Sequence, residues 1–140
     1  MESAEAILGQ VPIFADLKPK DLKKLAKEAH EVTFAAGTHL TEDDGFGVTF
    51  FVVVEGELEV QIKGSPIRKL GVGSYFGEMA LIDRETRSAT VIAETDAKCL
   101  GFSRPVFRPF AYNHPEVAWA LLEAMVARVR EAEGRLPAEA

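Results

Sequence analysis

The stretch Phe76-Gly77-Glu78-Met79-Ala80-Leu81, followed by Arg87-Ser88-Ala89-Thr90-Val91, organises the reading of this chain. Gly77 opens a short apolar turn, where a backbone without Cβ lets N–H groups approach an anion closely, and a helix start adds partial positive charge there. Glu78 supplies an acceptor and Arg87 a planar, forked donor. The separation 87 − 78 = 9 leaves room for a helical turn and a loop before a strand over Ser88 to Ala93 brings Arg87 back to the same spot. Taken singly, Glu78 would be a helix N-terminal charge and Arg87 a surface ion pair. Together they face one ligand from two sides, in a cradle suited to a phosphate and a sugar hydroxyl.

Outward from this stretch the pattern is that of short strands. Val32 and Phe34, His39 to Leu40, the run Val48 to Val54, and Leu58, Val60 and Ile62 precede it, separated by turn signals at Ala36-Gly37, Asp44-Gly45, Glu55-Gly56 and Gly64-Ser65-Pro66. Ile67 to Leu70 leads into the cradle; Ser88 to Ala93 and Ala97 to Ser103 follow, with Thr95-Asp96 reading as a hairpin turn. Even spacing of many short strands predicts a mainly β sandwich or small barrel. Helical spacing brackets it. Leu17, Leu22, Leu25 and Ala29 predict a helix from about Lys18 to Ala29. A short piece near Pro105 to Tyr112 precedes a longer helix from Pro115 to about Glu133, capped by Asn113 or His114. In the longer helix Val117, Leu121, Met125 and Val129, flanked by Leu122 and Val126, form an apolar stripe, which suits packing on the sheet, a movable lid or a dimer seam.

At 140 residues with 47% hydrophobic content, the chain suits one domain: a helical N-terminus over 1–30, a β-roll over 31–103 and C-terminal helices over 104–134. A net charge of −6 argues against extended contact with a nucleic-acid backbone, so neither DNA binding nor a distributed phosphate site is expected. Met1 to Gln10 carries two glutamates and no basic residue, unlike a signal peptide, and no apolar run reaches membrane-spanning length. The lone Cys99, in an alternating apolar strand, reads as a buried small side chain rather than a nucleophile. A cytoplasmic protein is expected. Gly71-Val72-Gly73 lacks the strand, helix and later acidic residue of a dinucleotide fingerprint.

The run Phe76 to Leu81, with Arg87-Ser88-Ala89-Thr90-Val91 after it, resembles the phosphate-binding cassette of the cyclic nucleotide-binding domain family. Similarity in order and spacing extends from about Ile13 to Glu133. The resemblance implies an eight-stranded antiparallel jelly-roll β-barrel, a cupin-like double-stranded β-helix with flanking helices. It also implies a cAMP or cGMP sensor that performs no catalysis and needs no cofactor. By motif position, Glu78 would accept from the ribose 2′-hydroxyl and Arg87 would pair with the cyclic phosphate. The N–H groups of Gly77, Glu78, Met79, Ala80 and Ala89 and the Ser88 hydroxyl would complete the anion site. Alignment places Val60 and Ile67 as walls for the purine, positions equally suited to ordinary core packing. Ser88 does not choose the base: in the kinase branch a hydroxyl residue there accompanies cGMP, whereas bacterial cAMP-responsive transcription factors carry serine and take cAMP. The expected ligand is cAMP. Arg128 aligns with an arginine of the family's terminal helix and is carried over as a ligand-side residue, although a solvated charge is its ordinary reading. Ala132 and Glu133 stand where those transcription factors have Thr-Ser, so that polar contact to adenine is not expected.

The expected mechanism is repositioning of the C-terminal helix on binding, passed to an effector protein or through a homodimer seam at Met125, Val126 and Val129. Six residues follow Gly134, so no helix-turn-helix, kinase or channel segment is expected in this chain. A metal enzyme is disfavoured because His30, His39 and His114 are dispersed, and no Ser or Cys has a base at motif spacing. The rival from another class is a degenerate, ligand-free version acting as an oligomerisation or docking module.

Overall fold

The run TFFVVVE forms strand β3 (Thr49–Glu55) and is buried on both faces, which is why it reads as continuously apolar rather than alternating. The computed structural model describes residues 3–40, 49–78 and 89–134. Two N-terminal helices, α1 (Ala4–Gln10) and α2 (Pro19–Glu28), flank a 3₁₀ turn at Pro12–Phe14. Then come β1 (His30–Phe34), β2 (His39–Leu40), β3, β4 (Leu58–Ile62), β5 (Ser65–Leu70), β6 (Tyr75–Phe76), β7 (Ala89–Ala93) and β8 (Ala97–Ser103). Helices α3 (Arg104–Asn113) and α4 (Pro115–Ala132) close the described chain.

All strand pairs are antiparallel, in two four-stranded sheets ordered β1-β8-β3-β6 and β2-β7-β4-β5. The described residues hold eight antiparallel strands with flanking helices, in keeping with the expectation. A closed barrel is not formed: among the described residues no ladder joins the two sheets, and the arrangement is a sandwich. The Thr95-Asp96 turn differs likewise, since β7 and β8 lie in different sheets and the turn carries the chain between them. Its polar atoms hold the corner, with Glu57 N–H donating to Thr95 Oγ1 at 3.0 Å and Ala36 N–H donating to Asp96 Oδ1 at 2.9 Å.

Alternation along β3 and β8 divides the interior into two cores. Phe51, Val53 and Cys99 point between the sheets, where they meet Phe34, Leu58, Val60, Phe76 and Val91. Phe50, Val52, Leu100 and Phe102 point outward, under Phe14 and Leu25 of the N-terminal segment, Phe107 of α3, and Val117 and Leu121 of α4. Phe50 anchors this second core, its ring 4.9 Å from Phe107 and 6.2 Å from Phe14. Burial pushes the Cys99 thiol up to about 12, as befits packing rather than reactivity. Helix α1, which apolar spacing did not single out, starts on a Ser3 cap whose hydroxyl accepts from Ala6 N–H and contributes Leu8 to the core.

Gly56, at φ +87°, turns β3 into β4 where the chain touches the Thr95-Asp96 corner, and a Cβ there would stand 2.3 Å from the Asp96 carbonyl oxygen. Gly37, at φ +90°, has open space around it. Gly37→Ala is therefore expected to cost about 1–2 kcal/mol from backbone conformation alone, and Gly56→Ala about 3 kcal/mol because the close approach adds to the strain. Urea denaturation of both variants checks this ranking.

Candidate functional site

Strand β6 is short but sets the site. Its residues pair with β3 as Phe51↔Phe76 and Val52↔Tyr75, so Phe76 stacks on Phe51 between the sheets, 5.1 Å between centroids, while Tyr75 lies 5.4 Å from Phe50 on the helix side. The chain leaves β6 at Gly77 with φ +91°, pressed so closely on β3 that a Cβ would stand 2.3 Å from the Thr49 carbonyl oxygen. Only glycine fits this approach. Glu78 follows directly, in helical conformation, and the close packing of Gly77 leaves it 2% exposed.

A carboxylate removed from water needs a cation or several donors. Arg128 of α4 provides the cation: its Nη1 donates to Glu78 Oε1 in a charge-assisted hydrogen bond. Val117, Leu121 and Arg128 fall on one face of α4, so the residue that meets Glu78 continues the stripe that packs on the core. The guanidinium also lies 5.7 Å from the centroid of the Tyr75 ring, within cation–π range. Burial pushes the Tyr75 phenol up, with Arg128 opposing that shift. Arg68 joins the group electrostatically. It pairs with Val60 across β4 and β5 and so shares its face, and partial burial together with repulsion from Arg128 lowers its guanidinium, with Glu78 opposing. The result is one buried carboxylate, two arginines and a phenol at one end of the sandwich. The carboxylate can accept at up to about four lone-pair positions, and among the described residues the side chain that donates to it is Arg128.

The residues singled out from sequence divide as follows. Gly77 and Glu78 are adjacent in the cradle, and Arg128 reaches Glu78 rather than standing as a solvated charge. Val60 is buried between the sheets opposite Val91. Ile67 sits where the β4–β5 register shifts, and is 51% exposed rather than packed in the core. Ala89 begins β7, paired with Ile62. Met79, Ala80, Arg87 and Ser88 lie outside the described residues. Tyr75 and Arg68 were not anticipated. Their signal was an aromatic immediately before Phe76-Gly77 and a cation opposite an inward Val60, both legible only once the register is known.

A profile described as "Cyclic nucleotide-binding domain" matches residues 31–114. The chain is 34% identical over 106 residues to a cAMP-dependent protein kinase regulatory subunit of Emericella nidulans, a match covering 74% of this chain and 26% of the relative. It is 36% identical over 112 residues to a cyclic nucleotide-gated potassium channel of Mesorhizobium japonicum, covering 80% and 31%. Among solved structures, the catabolite activator protein of Thermus thermophilus superposes with a TM-score of 0.78 at 26% identity, covering 89% of this chain and 61% of that one. The chain thus spans about a quarter to a third of the length of these curated relatives.

Removing Arg128 strands a buried carboxylate. Arg128→Leu is expected to destabilise by about 2–3 kcal/mol, below the upper range for a broken buried pair because Arg128 keeps some solvent contact. Glu78→Leu combined with Arg128→Leu should cost less than the single substitution. Denaturant midpoints of the two variants and the wild type check this.

Proposed function

From the premise that the chain belongs to the cyclic nucleotide-binding domain family, we propose that it is a regulatory binding module whose ligand is a cyclic nucleotide, cAMP in preference to cGMP. The observation that carries this reading is the buried Glu78 behind Gly77, tied to α4 by Arg128. Glu78 accepts from the ribose 2′-hydroxyl. Arg87 pairs with the cyclic phosphate, with the N–H groups of Gly77 to Ala80 and Ala89 and the Ser88 hydroxyl around it. Val60 and Ile67 flank the base, and Arg128 borders the ligand through Glu78. Support for cAMP comes from the regulatory subunit named for cAMP dependence and from a cAMP-bound regulatory-subunit structure that superposes at TM-score 0.71 and 25% identity. The nucleotide is the ligand of a binding module, and neither cofactor nor catalysis enters.

The proposed signal is a population shift of α4. A ribose hydroxyl draws on the same carboxylate that holds Arg128, so ligand and helix position are linked through one group. The readout passes to an effector protein or to a second copy of this chain. α4 supports the second copy: besides its inward stripe it exposes Trp119, Leu122, Val126 and Val129 at 64%, 55%, 50% and 54%. Their 3-4-3 spacing is a coiled-coil seam. Met125, expected on that seam, packs partly against the core instead. An antiparallel pair would set Leu122 opposite Val126 and Trp119 opposite Val129, each contact repeated by symmetry.

Two outcomes are expected. A cyclic nucleotide at 100 times its dissociation constant should stabilise the protein by about 2.7 kcal/mol, a rise of about 8 °C in melting temperature, with cAMP effective at lower concentration than cGMP and 5′-AMP without effect. Arg87→Ala should lose about 2–5 kcal/mol of binding free energy by calorimetry. No shift with either cyclic nucleotide would favour the ligand-free docking module. Sedimentation equilibrium should show a dimer that Leu122→Glu with Val126→Glu converts to monomer at unchanged melting temperature; a wild type that stays monomeric at every concentration excludes the seam.

A further inference from the structure

Helix α2 carries a charge pattern that the Glu78 site does not use. Lys18, Lys20, Lys23, Lys24 and Lys27 are five of the chain's eight lysines. Against Asp21 and Glu28 they leave this short segment at +3, in a chain whose net charge is −6. Lys20, Lys23, Lys24 and Lys27 stand at i, i+3, i+4 and i+7, which places them on one face of the helix. All four are exposed. The opposite face anchors the helix, with Leu25 fully buried and Leu22, Ala26 and Ala29 packed on the same helix-side core.

The lysine face works against the helix that carries it. Lys20 neighbours Lys23 and Lys24, and Lys27 neighbours the same two, at spacings where like charges destabilise a helix. Lys20 also lies in the first turn, at the positive end of the helix dipole. Among the described residues the lysines held in ion pairs are Lys69 and Lys98, both on the sheets, and those of the stripe are held in none. A solvated helix face ordinarily mixes signs and so relieves such repulsion. Here the acidic residues stand to one side, with Asp21 and Glu28 lining the groove between α2 and α3. Carboxylates from outside the chain would relieve the stripe itself.

We propose that the lysine face of α2 is a docking surface for a protein partner that presents an acidic helix face, with carboxylates at matching spacing and cations at its margin. From Lys20 to Lys27 the stripe runs about 10 Å, two turns of helix, which suits contact with a second helix. Positive charge alone does not choose among anionic partners. The flank does: a nucleic-acid duplex or an anionic bilayer is negative throughout, and Asp21 and Glu28 repel it. A protein segment can set carboxylates over the lysines and a lysine or arginine over Asp21 and Glu28. The stripe also offers a bilayer no apolar side chain to insert, because the leucines of α2 face the core. This surface is independent of what the Glu78 cradle binds.

Two synthetic helical peptides of equal length test the surface. One carries Glu at i, i+3, i+4 and i+7 with a Lys at each margin of that face; in the other the marginal Lys residues are Glu. The wild type is expected to bind the first about fivefold more tightly, with affinity falling as salt is added. Lys20→Gln, Lys23→Gln, Lys24→Gln and Lys27→Gln together should weaken that binding at least about tenfold. The same variant should melt about 3–6 °C higher than the wild type, because the repulsion along α2 is gone. Asp21→Asn with Glu28→Gln should abolish the preference between the peptides. Absent binding of both peptides, equal affinity in the lysine variant, or a lysine variant that melts lower overturns the docking surface. Tighter binding of duplex DNA or of phosphatidylserine vesicles through the same lysines overturns the partner class, as does self-association that the lysine variant loses.

Discussion

Burial of one carboxylate governs the architecture around Gly77 and Glu78. The backbone at Gly77 lies against β3 too closely for any side chain, and that approach carries Glu78 out of water. Desolvation of a carboxylate costs several kcal/mol unless a cation meets it. Among the described residues its ion-pair partner is Arg128, which arrives from α4. The position of a helix distant in sequence has thereby become a condition for burying a residue of the cradle. Any ligand group that donates to Glu78 acts on the same balance.

The division of β3 explains why this coupling reaches beyond one ion pair. Phe51 and Val53 face the space between the sheets, and Phe50 and Val52 face the helices, so alternate residues of one strand serve two cores. Phe50 is packed among Phe14, Phe102, Phe107 and Tyr75. This aromatic cluster fixes the N-terminal segment and α3 to the sheet, because interiors packed this densely do not shift by small continuous amounts. Helix α4 is fastened differently. Val117 and Leu121 are buried near its start, whereas Leu122, Val126 and Val129 are exposed, and low apolar burial marks the segments that open most readily.

Much of the β framework was legible because its signals are local. The run Val48 to Val54 announces a strand buried on both faces, Leu58 to Ile62 alternates as a strand with one inward face should, and Pro115 marks the start of α4. What escaped depends on partners rather than period. Thr95-Asp96 has the chemistry of a turn, but turn chemistry does not say whether the flanking strands pair or part, and here they enter different sheets. Tyr75-Phe76 is too short to show alternation and is defined by its ladder to Phe51 and Val52. The site divides the same way. Gly77 and Glu78 could be read from residue type and spacing, while the meeting of Arg128 with Glu78 is a contact across 50 positions that no local pattern contains. Arg68 shows its orientation only through its register with Val60.

Helix α4 is held by different forces along its length. Its first half adheres by apolar burial, a non-directional attraction that a small polar ligand scarcely alters. Toward its end the inward position is Arg128, held by a carboxylate on one side and the Tyr75 ring on the other. Those interactions depend on geometry and charge, and a hydroxyl donor or a nearby anion changes them directly. Arg68 adds a standing repulsion against Arg128 at the same spot, so the docked helix is attracted through Glu78 and opposed by a like charge. In the proposed response, the end of α4 held by opposing charges, rather than the end held by burial, is where a small polar ligand has the most leverage.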